Sequence, residues 1–240
     1  MPIANKRDFC YTREVMIKTI DFAGIELDNY TVREMIMIVE KKMSDHGFHT
    51  IEEVNMDTLM MAESDLVLKE ALHMAEHTVI SENGILEAVG AESYQRRHEI
   101  EHHDFFFEMM KRIERNRQAV FVIGDVRERV DRFCEFIKDR FEKCDLTGAE
   151  ALEDCQGTTD AMVNEINALA PDVILSVLPC PDQEHFLVEN HEKLSAGLWY
   201  GIGSWDFTKQ KLGFFGRLRK KMRAHRLERQ LDHYQGTDVV

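Results

Sequence analysis

Polar residues recur directly after apolar runs in this chain, and their types are those that hold substrates or move protons. Asn55 follows the run Thr50 to Val54, and Glu82-Asn83-Gly84 follows Thr78 to Ser81. Gly124-Asp125 closes Ala119 to Ile123, Gln183-Glu184 comes after Val173 to Leu178, and Asp206 follows Leu198 to Ile202. A carboxylate can act as base on a hydroxyl, an amide can orient a substrate, and glycine lets the backbone approach a ligand closely. If the apolar runs are parallel strands, their polar followers share one sheet edge, where ligands of open α/β proteins bind.

Two other patterns carry possible chemistry. His98-Glu99-Ile100-Glu101-His102 formally matches HExxH, which on a helix would place two zinc-binding imidazoles on one face with Glu99 as base. Its surroundings are charged, with Gln95-Arg96-Arg97 before it and no third ligand at a clear zinc-site spacing after it, so a solvated charged segment is the expectation and no metal is assigned. Cys180, near His185, has the type of a nucleophile, but a small loop or core thiol is the commoner role.

The elements that must position these residues follow from periodicity. Val173 to Leu178 is too short for a helix and is edged by Pro171 and Pro179, which reads as a strand buried on both faces. Asp182 then opens a helix to about Lys193. Lys18 to Leu27 reads as a hairpin turning at Ala23-Gly24. Asp28 or Thr31 caps a helix that runs to His46-Gly47. Further helices are expected over Asp65 to Glu76, from Ile85, over Phe105 to Arg117, Arg127 to Lys143 and Ala161 to Leu169. Strands and helices alternate, so the fold class is α/β: a Rossmann-like, doubly wound, mostly parallel sheet. The expected organisation is a leader at 1–15, a domain at 16–207 and a basic amphipathic C-terminal helical appendage at 208–240.

Composition narrows the function. The formal charge of −14 over 240 residues argues against a general nucleic-acid binder. Between Phe207 and Leu231, nine Lys/Arg face one acid, which leaves that segment at +8 and the remainder at −22. Leu212, Phe214, Phe215, Leu218, Met222 and Leu227 interleave with these basic residues, as in a helix lying on an anionic surface. A neighbouring subunit would suit the same apolar residues, so a homo-oligomer is a second expectation. The five cysteines are widely spaced, with no CxxC pair, signal peptide or 18-residue apolar span, and a reducing cytosol is expected.

Several of these residues, taken in order, resemble the WecG/TagA/CpsF glycosyltransferases, glycosyltransferase family 26, from about Thr19 to Leu231. The markers are Phe22-Ala-Gly-Ile-Glu-Leu-Asp28 with Thr31 and Glu34, Val54-Asn55, Asn83-Gly84-Ile85, Asp104, and Phe121-Val-Ile-Gly124. The strongest are Pro171-Asp172 leading to Pro181-Asp-Gln183-Glu184, and Gly203-Ser-Trp-Asp206-Phe207. The resemblance implies inverting transfer of an N-acetylmannosamine-like sugar from a UDP-sugar, with no further cofactor, to a polyprenyl-diphosphate-linked acceptor at the inner membrane surface. It implies donor contacts at Asn55, Gln183, Glu184 and Asp206, with Gly84, Asp104 and Gly124 also binding substrate. It also implies a diphosphate clamp from Arg217 or Arg223 and an acceptor site at Glu82 and Asn83. Where the family has its catalytic Asp, this chain has Asn83, and Glu53 stands where the family has Thr. His102-His103-Asp104 replaces a Gly-x-Asp element. Glu82 and Glu53 are the available substitute carboxylates; a catalytically silent sugar-nucleotide- or lipid-binding relative that assists a partner enzyme is the alternative.

Overall fold

A computed structural model describes residues 18–44, 47–155 and 157–204. The leader, the appendage and Asp206, Arg217 and Arg223 lie outside the described residues. The first elements are strands β1 (Thr19–Phe22) and β2 (Ile25–Asp28), helix α1 (Val32–Lys42), β3 (His49–Val54), α2 (Met56–Met61), α3 (Leu66–Met74) and β4 (His77–Ile80). Helices α4 (Asn83–Ala88), α5 (Tyr94–Glu101) and α6 (Asp104–Asn116) follow, then β5 (Ala119–Gly124), α7 (Arg127–Arg140) and β6 (Asp145–Ala151). The last are α8 (Asp160–Leu169), β7 (Val173–Ser176), α9 (Asp182–Asn190) and β8 (Leu198–Gly201).

Six strands form one sheet in the order β4-β3-β8-β7-β5-β6, and every neighbouring pair is parallel. Residues alternate between two buried faces. Val120, Val122, Val173, Leu175 and Tyr200 pack with α1, α6 and α7, while Phe121, Ile123, Ile174 and Trp199 pack with α8 and α9. Helices therefore cover both faces of an all-parallel sheet, the doubly wound architecture expected.

The hairpin β1-β2 turns at Ala23 and Gly24, both at positive φ. Its end is tied to β4 by Asp28, whose carboxylate accepts the Thr78 amide at 3.1 Å while its own N–H donates to the Thr78 hydroxyl at 2.7 Å. Thr31, not Asp28, caps α1. Its side chain accepts the Glu34 amide and the Glu34 carboxylate accepts the Thr31 amide, a reciprocal pair at the helix start. Thr31→Ala is expected to cost about 1 kcal/mol, read as a lower urea midpoint at unchanged slope.

The structure departs from the sequence reading most clearly at α1, β6 and α5. α1 ends at Lys42 with Met43 as its cap, four residues before Gly47, its last turn closing on its own carbonyls. β6 is an added edge strand pairing with β5, where Gly148 leaves room for the Phe121 ring: a methyl group there would lie 2.4 Å from it. The charged stretch after Glu92 contains helix α5, and Arg96 in it is buried rather than solvated. The Arg96 guanidinium donates to Asn29 at 3.0 Å and Glu99 at 2.8 Å, so a buried charge is compensated by a carboxylate and an amide.

Candidate active site

The carboxyl ends of β3, β4, β7 and β8 carry the polar residues. Directly after β3, Asn55 caps α2: its side-chain oxygen accepts the Thr58 amide at 2.9 Å and the Thr58 hydroxyl at 3.1 Å. Glu82, exposed after β4, accepts the Met56 amide at 3.0 Å and so ties the starts of α2 and α4 together. Asn83 donates to Glu101 on α5 at 3.3 Å, and its side-chain oxygen is buried without a hydrogen-bond partner. Gly84 sits beside Glu82 and Met56. The structure thus gathers Asn55, Glu82, Asn83 and Gly84 at one corner of the sheet.

Gln183 lies beneath this edge. It is buried on α9, donates from Nε2 to Glu52 at 2.6 Å and accepts the Gly203 amide at 3.0 Å. Both ends of its amide therefore serve to hold the chain segment leaving β8 against β3. Trp199 donates its indole N–H to the other Glu52 oxygen at 2.6 Å. Burial, together with the nearby Glu184 carboxyl, holds the Glu52 pKa well above the usual carboxylate range. Glu184, next to Gln183, is buried with Oε2 unpartnered, and burial pushes its pKa up to about 7. Neither Glu52 nor its indole partner was singled out from sequence. The available signal was a pair of acids, Glu52-Glu53, inside an otherwise apolar strand, together with a buried tryptophan whose N–H needs an acceptor.

The remaining sequence candidates fall into structural positions. Gly124 is wedged at the end of β5: a methyl group there would lie 2.7 Å from Val130 and 3.2 Å from Val177. Asp104 begins α6 with a carboxylate oxygen 3.6 Å from His98 Nδ1. His98 and His102 stack with ring centroids 4.1 Å apart, and Glu99 turns away from them to accept Arg96 and the Val32 amide. His185 pairs with Asp65 at 2.8 Å, not with Cys180, whose thiol is pushed up to about 12 chiefly by burial, far from a thiolate nucleophile.

On the opposite face of β3, Glu53 lines a small cavity of ≈ 20 Å³, room for about one water, with Ser81, Arg96, Glu99 and His103 over Val79, Phe105 and Phe106. The Tyr200 hydroxyl donates to Glu53 Oε1. Burial raises the Glu53 carboxyl to about 7 despite that bond. Burial also lowers the His103 pKa, with the neighbouring His102 adding to the shift.

An all-parallel, doubly wound sheet with polar residues gathered at the carboxyl ends of its strands defines an open α/β protein, a class whose ligands bind at that edge. More specifically, the glycosyl transferase WecG/TagA/CpsF family model matches residues 20–208, and the chain belongs to that family. Similar curated proteins include the N-acetylglucosaminyldiphosphoundecaprenol N-acetyl-beta-D-mannosaminyltransferases of Staphylococcus aureus strains NCTC 8325 and MRSA252. Each is 20% identical over 186 residues, covering 77% of this chain and 72% of the relative. No helix among the described residues is long and apolar enough to cross a membrane.

Proposed function

We propose that this protein transfers an N-acetylmannosamine-like sugar, with inversion, from a UDP-sugar to a polyprenyl-diphosphate-linked acceptor sugar. The setting is the cytoplasmic face of a bacterial membrane, in the synthesis of a cell-surface polysaccharide or teichoic acid. The observation that carries this reading is the family match over residues 20–208, joined to relatives whose name specifies an N-acetylglucosaminyl-diphosphoundecaprenol acceptor. The geometry supports it through the corner formed by Asn55, Glu82, Asn83 and Gly84, with the Gln183 bridge keeping the β8 exit in register beside it. In this reading Asp206 faces the donor, Arg217 or Arg223 clamps the diphosphate, and the basic, aromatic tail holds the protein on the anionic surface where its acceptor resides.

The purified protein is expected to bind UDP in a calorimetric titration and to transfer N-acetylmannosamine from its UDP derivative to a short-chain polyprenyl-diphosphate N-acetylglucosamine. A folded protein that binds UDP but transfers none of a panel of UDP-sugars would instead be a silent relative. The buried, unpartnered oxygen of Asn83 specifically motivates that second reading, since an amide there cannot take a proton. Asn83→Asp separates the two: activity gained marks a decayed site, and activity lost marks an amide tuned to the present chemistry.

A further inference from the structure

Burying a carboxyl in a sheet covered on both faces costs free energy, and an apolar side chain of similar volume is often as good for stability or better. Packing alone therefore does not account for Glu52, but the polarity of its bonds does. The Trp199 indole N–H can only donate, and it meets one Glu52 oxygen at 2.6 Å. The other oxygen receives Gln183 Nε2, also at 2.6 Å. The Gly203 backbone N–H can likewise only donate, and at 3.0 Å it claims Gln183 Oε1. Glu52, Trp199 and Gln183 are all buried, so each joint depends on its protein partner. The three bonds run in one consistent sense: Glu52, accepting on both oxygens, turns the Gln183 amide so that its oxygen points at Gly203.

Gly203 is where the chain leaves the sheet. The Ile202 amide still donates to the Ser176 carbonyl on β7 at 2.9 Å. At Gly203 the backbone takes φ 75°, a left-handed turn that suits glycine. Asp206 follows closely in sequence, and after it the basic segment with Arg217 and Arg223. We infer that Glu52 is a positioning residue for the donor: through the Gln183 amide it sets the direction in which the chain leaves β8 toward Asp206 and the basic segment. This assignment rests on the glycosyltransferase reading above. Glu52 lies beneath the sheet edge beside Gly201, whose lack of a side chain leaves the space in which Glu52 and Gln183 meet, so it acts on the donor only through its partners.

The polarity of the relay makes it testable. Glu52→Gln keeps size and shape but places an NH2 group where an acceptor is needed. Trp199 claims the new amide's oxygen, which leaves the NH2 facing Gln183. To accept it, the Gln183 amide must turn over, and its own NH2 then meets the Gly203 N–H, donor against donor. Exchanging the two side chains, Glu52→Gln together with Gln183→Glu, repairs every joint. The amide at position 52 then accepts Trp199 and donates to the carboxylate at position 183, whose second oxygen accepts Gly203.

The experiment measures UDP binding by calorimetry, transfer to the short-chain acceptor, and Gly203 amide hydrogen exchange, in full-length proteins well below their unfolding midpoints. Glu52→Gln is expected to raise the UDP Kd and the donor KM by about tenfold, with kcat changed by less than about threefold and Gly203 exchange faster. The exchanged pair should return Kd and KM to within about threefold of wild type. A residue that only held the strands together would lower the unfolding midpoint without this division between KM and kcat. Wild-type donor KM in a folded Glu52→Gln overturns the assignment and leaves the glycosyltransferase reading intact. An exchanged pair no better than Glu52→Gln also overturns it, and would put Gln183 on the donor itself. Should Glu52→Gln fail to fold, the exchanged pair decides: folding with near-wild-type KM supports the relay, and failure to fold or to bind UDP overturns it. A wild type that transfers no sugar overturns the glycosyltransferase reading and this assignment with it, and that parental inactivity tells the case apart.

Discussion

Gly201→Ala is expected to destabilise the protein by about 3 kcal/mol, more than an ordinary surface or cap substitution, although Gly201 has no left-handed backbone to explain its presence. The reason is space. Gly201 on β8 stands directly beside Glu52 on β3, and an added methyl group would lie 2.1 Å from Glu52 Oε2 and 2.5 Å from Gln183 Nε2. Neither atom can simply swing away. Glu52 is held by Trp199 and Gln183, each at 2.6 Å, in a fully buried position. Moving its carboxylate leaves buried donors unpaired, which costs about 1–3 kcal/mol on top of the overpacking. Urea unfolding should show a lower midpoint with an unchanged slope, and the Gly203 amide, released from Gln183, should exchange its hydrogen faster. Shortening the clashing partner tests the cause: in a double-mutant cycle with Glu52→Ala, the double mutant should lose less stability than the sum of the two single losses. An unchanged midpoint in Gly201→Ala would show that the strands part easily here.

The Glu52–Gly201 contact joins strands far apart in the chain, whereas the strands themselves are written locally in the sequence. The central strands β3, β5, β7 and β8 were legible because strands buried on both faces become short apolar runs between polar breaks. The hairpin was legible from Ala23-Gly24, and α3 from Asp65, whose carboxylate does cap it. β6 was not, because Asp-Leu-Thr-Gly-Ala-Glu-Ala is an edge strand, half-buried along most of its length, with no apolar run and a glycine forced by Phe121. α5 was obscured for a related reason: Arg96 reads as solvent-facing until Asn29, sixty-seven residues away, supplies its partner. At the site, sequence placed the polar residues on the correct edge but not their contacts. Gln183 reads as a ligand-facing amide, yet its two ends are committed to Glu52 and Gly203. Burial and long-range pairing are tertiary facts, and a window of neighbouring residues does not contain them.

The same buried acids set the largest expected dependence on pH. In the folded protein, burial raises Glu184 to about 7, while in the unfolded chain it titrates as an ordinary glutamate near 4.5. Between these values the native state keeps a proton that the unfolded chain has released, so stability must fall as pH rises through the window. A shift of that size, on a side chain only 2% exposed, amounts to about 3 kcal/mol once pH passes 7. Glu53, also raised to about 7 by burial, and Glu52, held well above the usual carboxylate range by burial and the nearby Glu184 carboxyl, act in the same direction. At the acid end the sign reverses. Glu34, lowered to about 2 mainly by its hydrogen bond from Lys18, stabilises the fold above 4.5 and loses that contribution as pH drops toward 2. That pair is exposed, so its share is small. Stability should therefore peak near pH 5 and decline by several kcal/mol toward pH 8, measured as urea midpoints across pH. Glu184→Gln, which cannot ionise, should equal or trail wild type at pH 5 yet exceed it at pH 8 by about 2 kcal/mol. Parallel pH curves for the two proteins would mean that Glu184 ionises in the fold as readily as in water. The pH dependence would then belong to the general repulsion of a chain with net charge −14.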